Sequence, residues 1–302
     1  QMAKMMTPAM EKRMKRQNKH PLKADPWHEA WYRLRRNRTA MVGLFIVAVL
    51  LILALFPSVF ACYGEDEQVF QDAFIFPCWE HPMGTDNYGR DILSRTIYGA
   101  RTSLLIGALA VLMSVIIGGS CGLIAAYYGK KVDNIIMRIM DVFYALPSFL
   151  LAIAIASALG SGLFNLAVAI AISQVPGYAR VVRAAALTVR NQEYMEAIRA
   201  IGGSPMRQMF RHMLPNAIAP IIVQATLGMA NAIISGAALS FVGVGVQPPT
   251  AEWGYMLNAG RQYIRDYWYI VTFPGLMIMI TILGLNLFGD GLRDALDPKL
   301  KR

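Results

Sequence analysis

Five stretches of this chain carry no Asp, Glu, Lys or Arg: residues 39–61, 102–129, 142–179, 212–251 and 267–289. A helix of about 20 apolar residues crosses the hydrocarbon core of a bilayer, so every one of these runs is long enough to span it. The third run, at 38 residues, is long enough for two spans, and Gly160-Ser161-Gly162 near its middle supplies a turn. A soluble core could not hide so much apolar surface. Apolar residues make up 56% of the chain and charged residues 16%, with a mean hydropathy of +0.41. Global disorder needs the opposite balance. The sequence predicts an all-α polytopic membrane protein with six transmembrane helices, near 39–61, 102–128, 142–160, 163–182, 216–242 and 269–289.

The remaining charges set the orientation. With the N-terminus inside, the inner segments 1–38, 130–141, 180–215 and 290–302 hold 24 of the 29 Lys and Arg residues. The outer segments hold only Arg90, Arg95, Arg101, Arg261 and Arg265, and the 62–101 segment also carries seven acids. Basic loops stay on the cytoplasmic side, so both termini are expected there. This asymmetry accounts for the net charge of +10 without a nucleic-acid partner.

The parts follow from this layout. Residues 1–38 read as a basic cytoplasmic tail ending in an interfacial helix. In that helix Trp27, Ala30, Trp31 and Leu34 recur at helical spacing beside four arginines, the pattern of a helix lying on membrane lipid. The first span, 39–61, is followed by the outer segment 62–101. A five-helix core covers 102–291, and residues 292–302 form a second cytoplasmic tail. Cys62 and Cys78 share the outer segment, where two readings stand: a disulfide in an oxidising compartment, or two free thiols.

No Asp, Glu, Lys or Arg lies deep within an expected span, and all four histidines fall outside them. Proton-coupled carriers need a titratable group in the membrane path, so that class is disfavoured. A row of small residues, Ala110, Ser114, Gly118, Gly122 and Ala126, shares one face of the second span. Gly228, Ala232, Gly236 and Ser240 do the same in the fifth. Such rows let helices approach closely. The sizeable polar groups at membrane depth are Gln174, Gln224, Asn231, Ser235 and Asn286. They either line a translocation path or bond across helices.

The longest inner segment, 183–215, reads as helix, turn, helix, with a hairpin over 190–215. Tyr194 to Ile201 is helix-forming, and Gly202-Gly203 stops it. Ser204-Pro205 then restarts the chain as N-cap and first helical residue. Met206, Met209, Phe210 and Met213 make an apolar stripe, Arg207 and Arg211 share a face, and the second helix is expected to end before Pro215.

Glu196-Ala197, then Gly202, then Leu214-Pro215 resembles the EAA signature of ABC-importer permeases. Ile198 stands in place of the second Ala, and His212 in place of an Ile. WYRLRRNRTAMVGL (31–44), HPMGTDNYGRDILSRTIYGARTSL (81–104), ALSFVGVGVQPPTAEWGYML (238–257) and FGDGLRDALDPKL (288–300) are similar, in order, to blocks of the permeases for dipeptides, oligopeptides and nickel. The subunit type they resemble is the second of the two permeases.

That resemblance implies a type I ABC-importer permease fold in a bacterial inner membrane. It implies a homologous second permease, two cytoplasmic ATPases and an extracytoplasmic substrate-binding protein as partners. Glu196, Ala197, Gly202, Gly203, Arg207, Leu214 and Pro215 would couple the bundle to an ATPase. The block Gly84, Thr85, Asp86, Gly89, Arg90 and Asp91 either shapes its loop or touches the binding protein.

The chain carries no phosphate loop, no HExxH and no nucleophile elbow. It is therefore expected to be non-catalytic, with no catalytic residue, no metal and no bound cofactor. ATP and Mg would act at the partner ATPases. Two competing classes remain open: an autonomous sodium-coupled carrier, and a non-transporting scaffold or sensor.

Overall fold

The computed structural model describes residues 26–297. The expected basic tail before residue 26 and the end of the second tail lie outside the described residues. All of the regular secondary structure among them is helical, and the only β feature among them is an isolated antiparallel bridge between Thr85 and Asp91.

Helix α1 (Pro26–Arg36) buries Ala30 and Leu34 and leaves Trp31 and Tyr32 exposed. Asn37 breaks the chain and caps α2 (Arg38–Leu55), its side-chain oxygen accepting from the amides of Thr39 and Ala40 at 3.1 and 3.3 Å. Leu34 packs with Ala40 and Ala295, which seats α1 against the last helix. A short helix, α3 (Pro57–Phe60), opens the 56–91 loop.

Helix α4 (Ile92–Tyr128) has 37 residues, so at 1.5 Å per residue it is about 55 Å long, well beyond the hydrocarbon thickness. It starts ten residues before the expected span, inside the segment read as an outer loop. Both arginines on that extension are accommodated: Arg101, which bounds the charge-free run, is exposed on the helix surface, and Arg95 Nη1 donates to the Glu65 carbonyl at 2.8 Å and lies 3.7 Å from Asp66.

The expected third span, 142–160, is not one helix. The chain forms α5 (Lys130–Ala145) and α6 (Ser148–Leu159), bent by 87° at Leu146-Pro147. Proline disfavours the helical conformation in the residue before it, and Leu146 is extended at φ −87°, ψ 136°. After the Gly160-Ser161-Gly162 turn, α7 (Leu163–Arg190) runs eight residues past the expected end of the fourth span. The arginines on that extension have partners. Arg183 grips Asp133 through two bonds of 2.5 and 2.6 Å, and Arg190 donates to the Ala126 carbonyl at 2.9 Å.

Helix α8 (Glu193–Ala200) and α9 (Pro205–Arg207) follow. A π-helical turn (Gln208–Met213) and α10 (Leu214–Asn216) lead into α11 (Ile218–Val242). The second hairpin helix therefore does not end before Pro215. That proline sits in the opening turn of α10, where a missing N–H costs nothing. Helices α12 (Trp253–Gly260) and α13 (Tyr269–Leu296) complete the chain.

Among the described residues, four helices are long and apolar enough to cross a membrane, α2, α4, α11 and α13, with a fifth if the bent pair α5–α6 counts as one span. Helix α7, which carries the expected fourth span, is diluted by Gln174, Arg180 and Arg183.

The most extensive interface joins α4 and α7. Ala110, Ser114, Gly118, Gly122 and Ala126 are all buried along it. Ser114 Oγ donates to the carbonyls of Ala110 and Ala171, at 2.7 and 3.0 Å. A methyl group on Gly118 or Gly122 would overlap the carbonyls of Val175 or Ala179. Gly228, Ala232, Gly236 and Ser240 are likewise buried on α11. Both rows are packing surfaces.

Candidate functional site

The hairpin between α7 and α11 hangs from the C-terminal end of α4, opposite the 56–91 loop. Met195, Met209 and Met213 turn inward and pack with Leu123, Val182 and Ile221, so three long helices hold it. The expected apolar stripe thus divides, with Met209 and Met213 buried and Met206 and Phe210 exposed.

Its turn is closed by backbone bonds. The Gly202 amide donates to the Arg199 carbonyl, and the Gly203 amide to the Ile198 carbonyl, both at 3.0 Å. This double closure requires a left-handed residue at the helix end, and Gly202 has φ +78°. Beyond its chain neighbours nothing lies within 4 Å of a Cβ placed on Gly202, so its constraint is backbone conformation, whereas a methyl on Gly203 would meet the Ile198 carbonyl at 2.9 Å. Ser204 Oγ accepts from the Arg207 amide at 3.4 Å and starts the second helix.

Glu196, Ala197, Gly202, Arg207 and Pro215 are exposed, while Gly203 and Leu214 are half-buried. Between the charges stand exposed apolar side chains: Ile201 at 84%, with Met206 and Phe210. A mixed apolar and charged surface on a braced hairpin suits a protein contact.

The five polar residues expected at membrane depth differ in exposure. Gln174 is half-buried and its Oε1 has no hydrogen-bond partner. Gln224 lines a cleft of about 610 Å³ between α7, α11 and α13, with Thr188, Asn216 and Arg293, and its carbonyl accepts from Tyr178 Oη at 3.3 Å. Ser235 is half-buried, whereas Asn231 and Asn286 are exposed on α11 and α13. An exposed amide at membrane depth needs protein or water against it.

The Gly84–Asp91 block is mostly interior. Thr85, Asp86, Arg90 and Asp91 are buried, and Gly84 and Gly89 turn the chain at φ +78° and +74°. Asp86 accepts from the amides of Tyr88 and Arg90 at 2.8 and 3.0 Å and from Arg90 Nε at 2.7 Å. Arg90 Nη1 donates to Asp66 at 3.0 Å. Burial opposes a charge on Arg90, but Asp86 and Asp66 outweigh it and raise its pKa. Asp66 is also partly desolvated, which alone would raise its pKa; its bond from Arg90 holds it below the ordinary value instead. Asp91 caps α4 through the Ser94 amide at 2.7 Å and meets His81 Nδ1 at 3.0 Å. Thr85 Oγ1 accepts from the Ile75 amide at 2.8 Å and donates to the Asp72 carbonyl. These residues shape the loop.

Cys62 and Cys78 are both free and exposed, and Cys78 Sγ accepts from the His81 amide at 3.4 Å.

Sequence reasoning passed over Glu252. This buried carboxylate caps α12, accepting from the amides of Gly254 and Tyr255 at 2.9 and 2.8 Å and from Ser103 Oγ of α4 at 3.2 Å. Burial pushes its pKa up against those bonds. The signal was available: Glu252 is the only charged residue between Arg211 and Arg261.

A helical membrane bundle with a structured hairpin braced across one end is a class of integral membrane protein, and known proteins narrow it. A model of the family described as binding-protein-dependent transport system inner membrane component matches residues 118–302, and one for the N-terminal transmembrane domain of oligopeptide transport permease C matches residues 25–77. The chain belongs to the first of these families, the inner-membrane components of binding-protein-dependent transport systems.

It is 49% identical over 289 residues to the dipeptide transport system permease protein of Escherichia coli, covering 93% of this chain and 96% of that one. It is 48% identical over 283 residues to the di/tripeptide transport system permease protein of Pseudomonas aeruginosa, covering 91% and 93%. The glutathione transport system permease protein of Shigella boydii is 44% identical over 277 residues, covering 91% of each chain. In fold, the chain resembles a solved inward-facing structure of the MetNI methionine ABC transporter, with a TM-score of 0.54 at 21% identity over 68% of this chain and 96% of that one. Nothing in these likenesses supports a sodium-coupled carrier.

Proposed function

We propose that this chain is a permease subunit of an ATP-driven importer that carries short peptides or a related solute across a bacterial inner membrane. The observation that carries the reading is the hairpin. It exposes Ile201, Met206 and Phe210 while its buried face is locked to α4, α7 and α11. A rigid body that grips three long helices and offers an apolar, charged surface can convert a push from a partner into movement of the bundle. Relatives named for dipeptide, di/tripeptide and glutathione transport support peptides as substrate.

In this reading the hairpin and both termini face the cytoplasm and the 56–91 loop faces outward. Two ATPase subunits bind ATP and Mg and receive the hairpins of this chain and of a homologous second permease. Glu196, Ala197, Gly202, Gly203 and Arg207 shape or line the docked surface, and Leu214 and Pro215 join it to α11. Asn231, Ser235 and Asn286 face the second permease across a shared path, with Gln174 and Gln224 nearer the bundle's interior. The chain performs no catalysis and binds no cofactor itself. A binding protein delivers substrate from outside, and lipid covers the remaining surface.

The test is uptake of a labelled dipeptide into proteoliposomes holding the assembled complex. ATP-dependent uptake is expected, with an Ile201→Asp variant losing at least tenfold in rate at equal membrane abundance. Uptake by this chain alone, driven by a sodium gradient, would sink the reading.

A further inference from the structure

The buried block Gly84–Asp91 leaves open what its loop is built to hold out. Phe74 stacks on Tyr267 at 4.2 Å beside the start of α13, and Arg90 joins Asp86 to Asp66, so the loop is fixed at both its base and its centre. On this rigid frame Phe70, Phe76 and Tyr88 are exposed, and Trp79 is fully so. Pro77, Cys78, Trp79 and Pro82 border an open depression of about 400 Å³. Aromatic side chains held out on a rigid loop gain nothing in a lone chain, and tryptophan leads the residues that anchor protein interfaces.

Charge decides between the two occupants such a ridge could have. Glu67 and Glu80 are exposed beside the aromatics, and no Lys or Arg occurs from Thr39 to Gly89. Arg90, the next cation, is buried and bound to two aspartates. Loops that settle on anionic lipid carry lysine and arginine, and this one carries the opposite sign. An acidic, aromatic ridge complements a basic protein surface with an apolar pocket.

We propose that the ridge Phe76–Trp79–Glu80 is the docking surface for the extracytoplasmic peptide-binding protein, which meets it with a basic patch. The proposal rests on the importer reading and adds to it where the delivered protein lands. The motif Gly84–Asp91 then acts as the scaffold of the contact and not as the contact itself.

The test is the ATPase rate of the assembled complex in nanodiscs, titrated with the purified peptide-binding protein of the same organism. Trp79→Ala should raise the half-saturating concentration at least tenfold and leave the saturated rate unchanged. Glu80→Lys should raise it several-fold, with a weakened salt dependence. Because Trp79 is fully exposed, its replacement leaves the fold intact. An unchanged half-saturating concentration in both variants would overturn the docking surface while the importer reading stands. Quenching of Trp79 fluorescence by brominated lipid, measured against Trp79→Phe, would give the ridge to the membrane and overturn it too. A wild-type complex that no concentration of binding protein stimulates would overturn the importer reading, and the docking surface with it.

Discussion

Gln208 Nε2 donates to the Gly203 carbonyl at 2.6 Å, tying the start of the second hairpin helix to the turn that ends the first. Gln208 is buried, and its Oε1 has no hydrogen-bond partner. The side chain is therefore held from one end only, directly where the helix adopts its π-helical turn. Such turns are frequent at functional sites. Gln208→Leu should keep the buried volume and lose the tie. We expect membrane abundance to hold while dipeptide uptake per ATP hydrolysed falls at least threefold. An unchanged ratio would make the bond incidental to coupling.

The two glycines of the turn should fail for different reasons. Gly202→Ala meets no neighbour but must hold φ +78°, at a cost of about 1 kcal/mol. Gly203→Ala places a methyl 2.7 Å from Ile198 Cγ2 and 2.9 Å from its carbonyl, so the turn itself must open. Thermal unfolding of the purified chain should show the larger loss for Gly203→Ala. Gly202→Trp should unfold close to Gly202→Ala, because Gly202 is exposed and a Cβ there points into open space. If it abolishes transport where Gly202→Ala does not, the missing space belongs to the docked ATPase.

The α4–α7 interface allows a comparison between near neighbours. Gly122→Ala should push α4 off the Ala179 carbonyl and cost about 1–3 kcal/mol. On Gly119 an added methyl meets only Val182 Cγ2, at 3.7 Å, which is ordinary contact. Gly119→Ala should be neutral or slightly stabilising, since alanine is the better helix former. Equal melting temperatures for the two variants would show that the helices do not approach as described.

Much of this was legible in the chain because it rests on local rules. Charge-free length marks α2, α4, α11 and α13, and spacing by four marks the small-residue rows. Gly202 is needed wherever a helix ends in a left-handed residue. What escaped depends on partners distant in sequence. Arg95 reads as part of an outer loop until Glu65 and Asp66 take up its charge. Arg183 looks like a loop residue until Asp133 meets it, 50 positions away. Pro215 reads as a break and falls instead in a first turn that accepts it, whereas Pro147 is lost within an apolar run read as one span and yet parts α5 from α6. The Gly84–Asp91 block was visible as a motif, yet its burial was not, because that follows from contacts with residues 66–75 and Tyr269.

Glu252 makes stability depend on pH with a defined sign. Its pKa is raised in the folded chain by burial. The folded state therefore holds its proton more tightly than the unfolded state does, and between the ordinary glutamate value of about 4.3 and the raised value folding takes up a proton. Stability must fall as pH rises through that window, and it is recovered as pH drops below the raised value. Glu252→Gln cannot titrate and removes the slope. It keeps one acceptor for the amides at the start of α12, so its baseline should drop by only about 1 kcal/mol. Melting temperatures of wild type and variant, taken from pH 4.5 to 8, should differ most at low pH and converge as pH rises. Asp66 works in the opposite direction. Its pKa is lowered, so its contribution is complete above about 3.9 and is lost only on further acidification, outside the range scanned. A difference between wild type and Glu252→Gln that stays constant across the scan would mean that Glu252 is charged throughout, stabilised by Ser103 and the two amides against its burial.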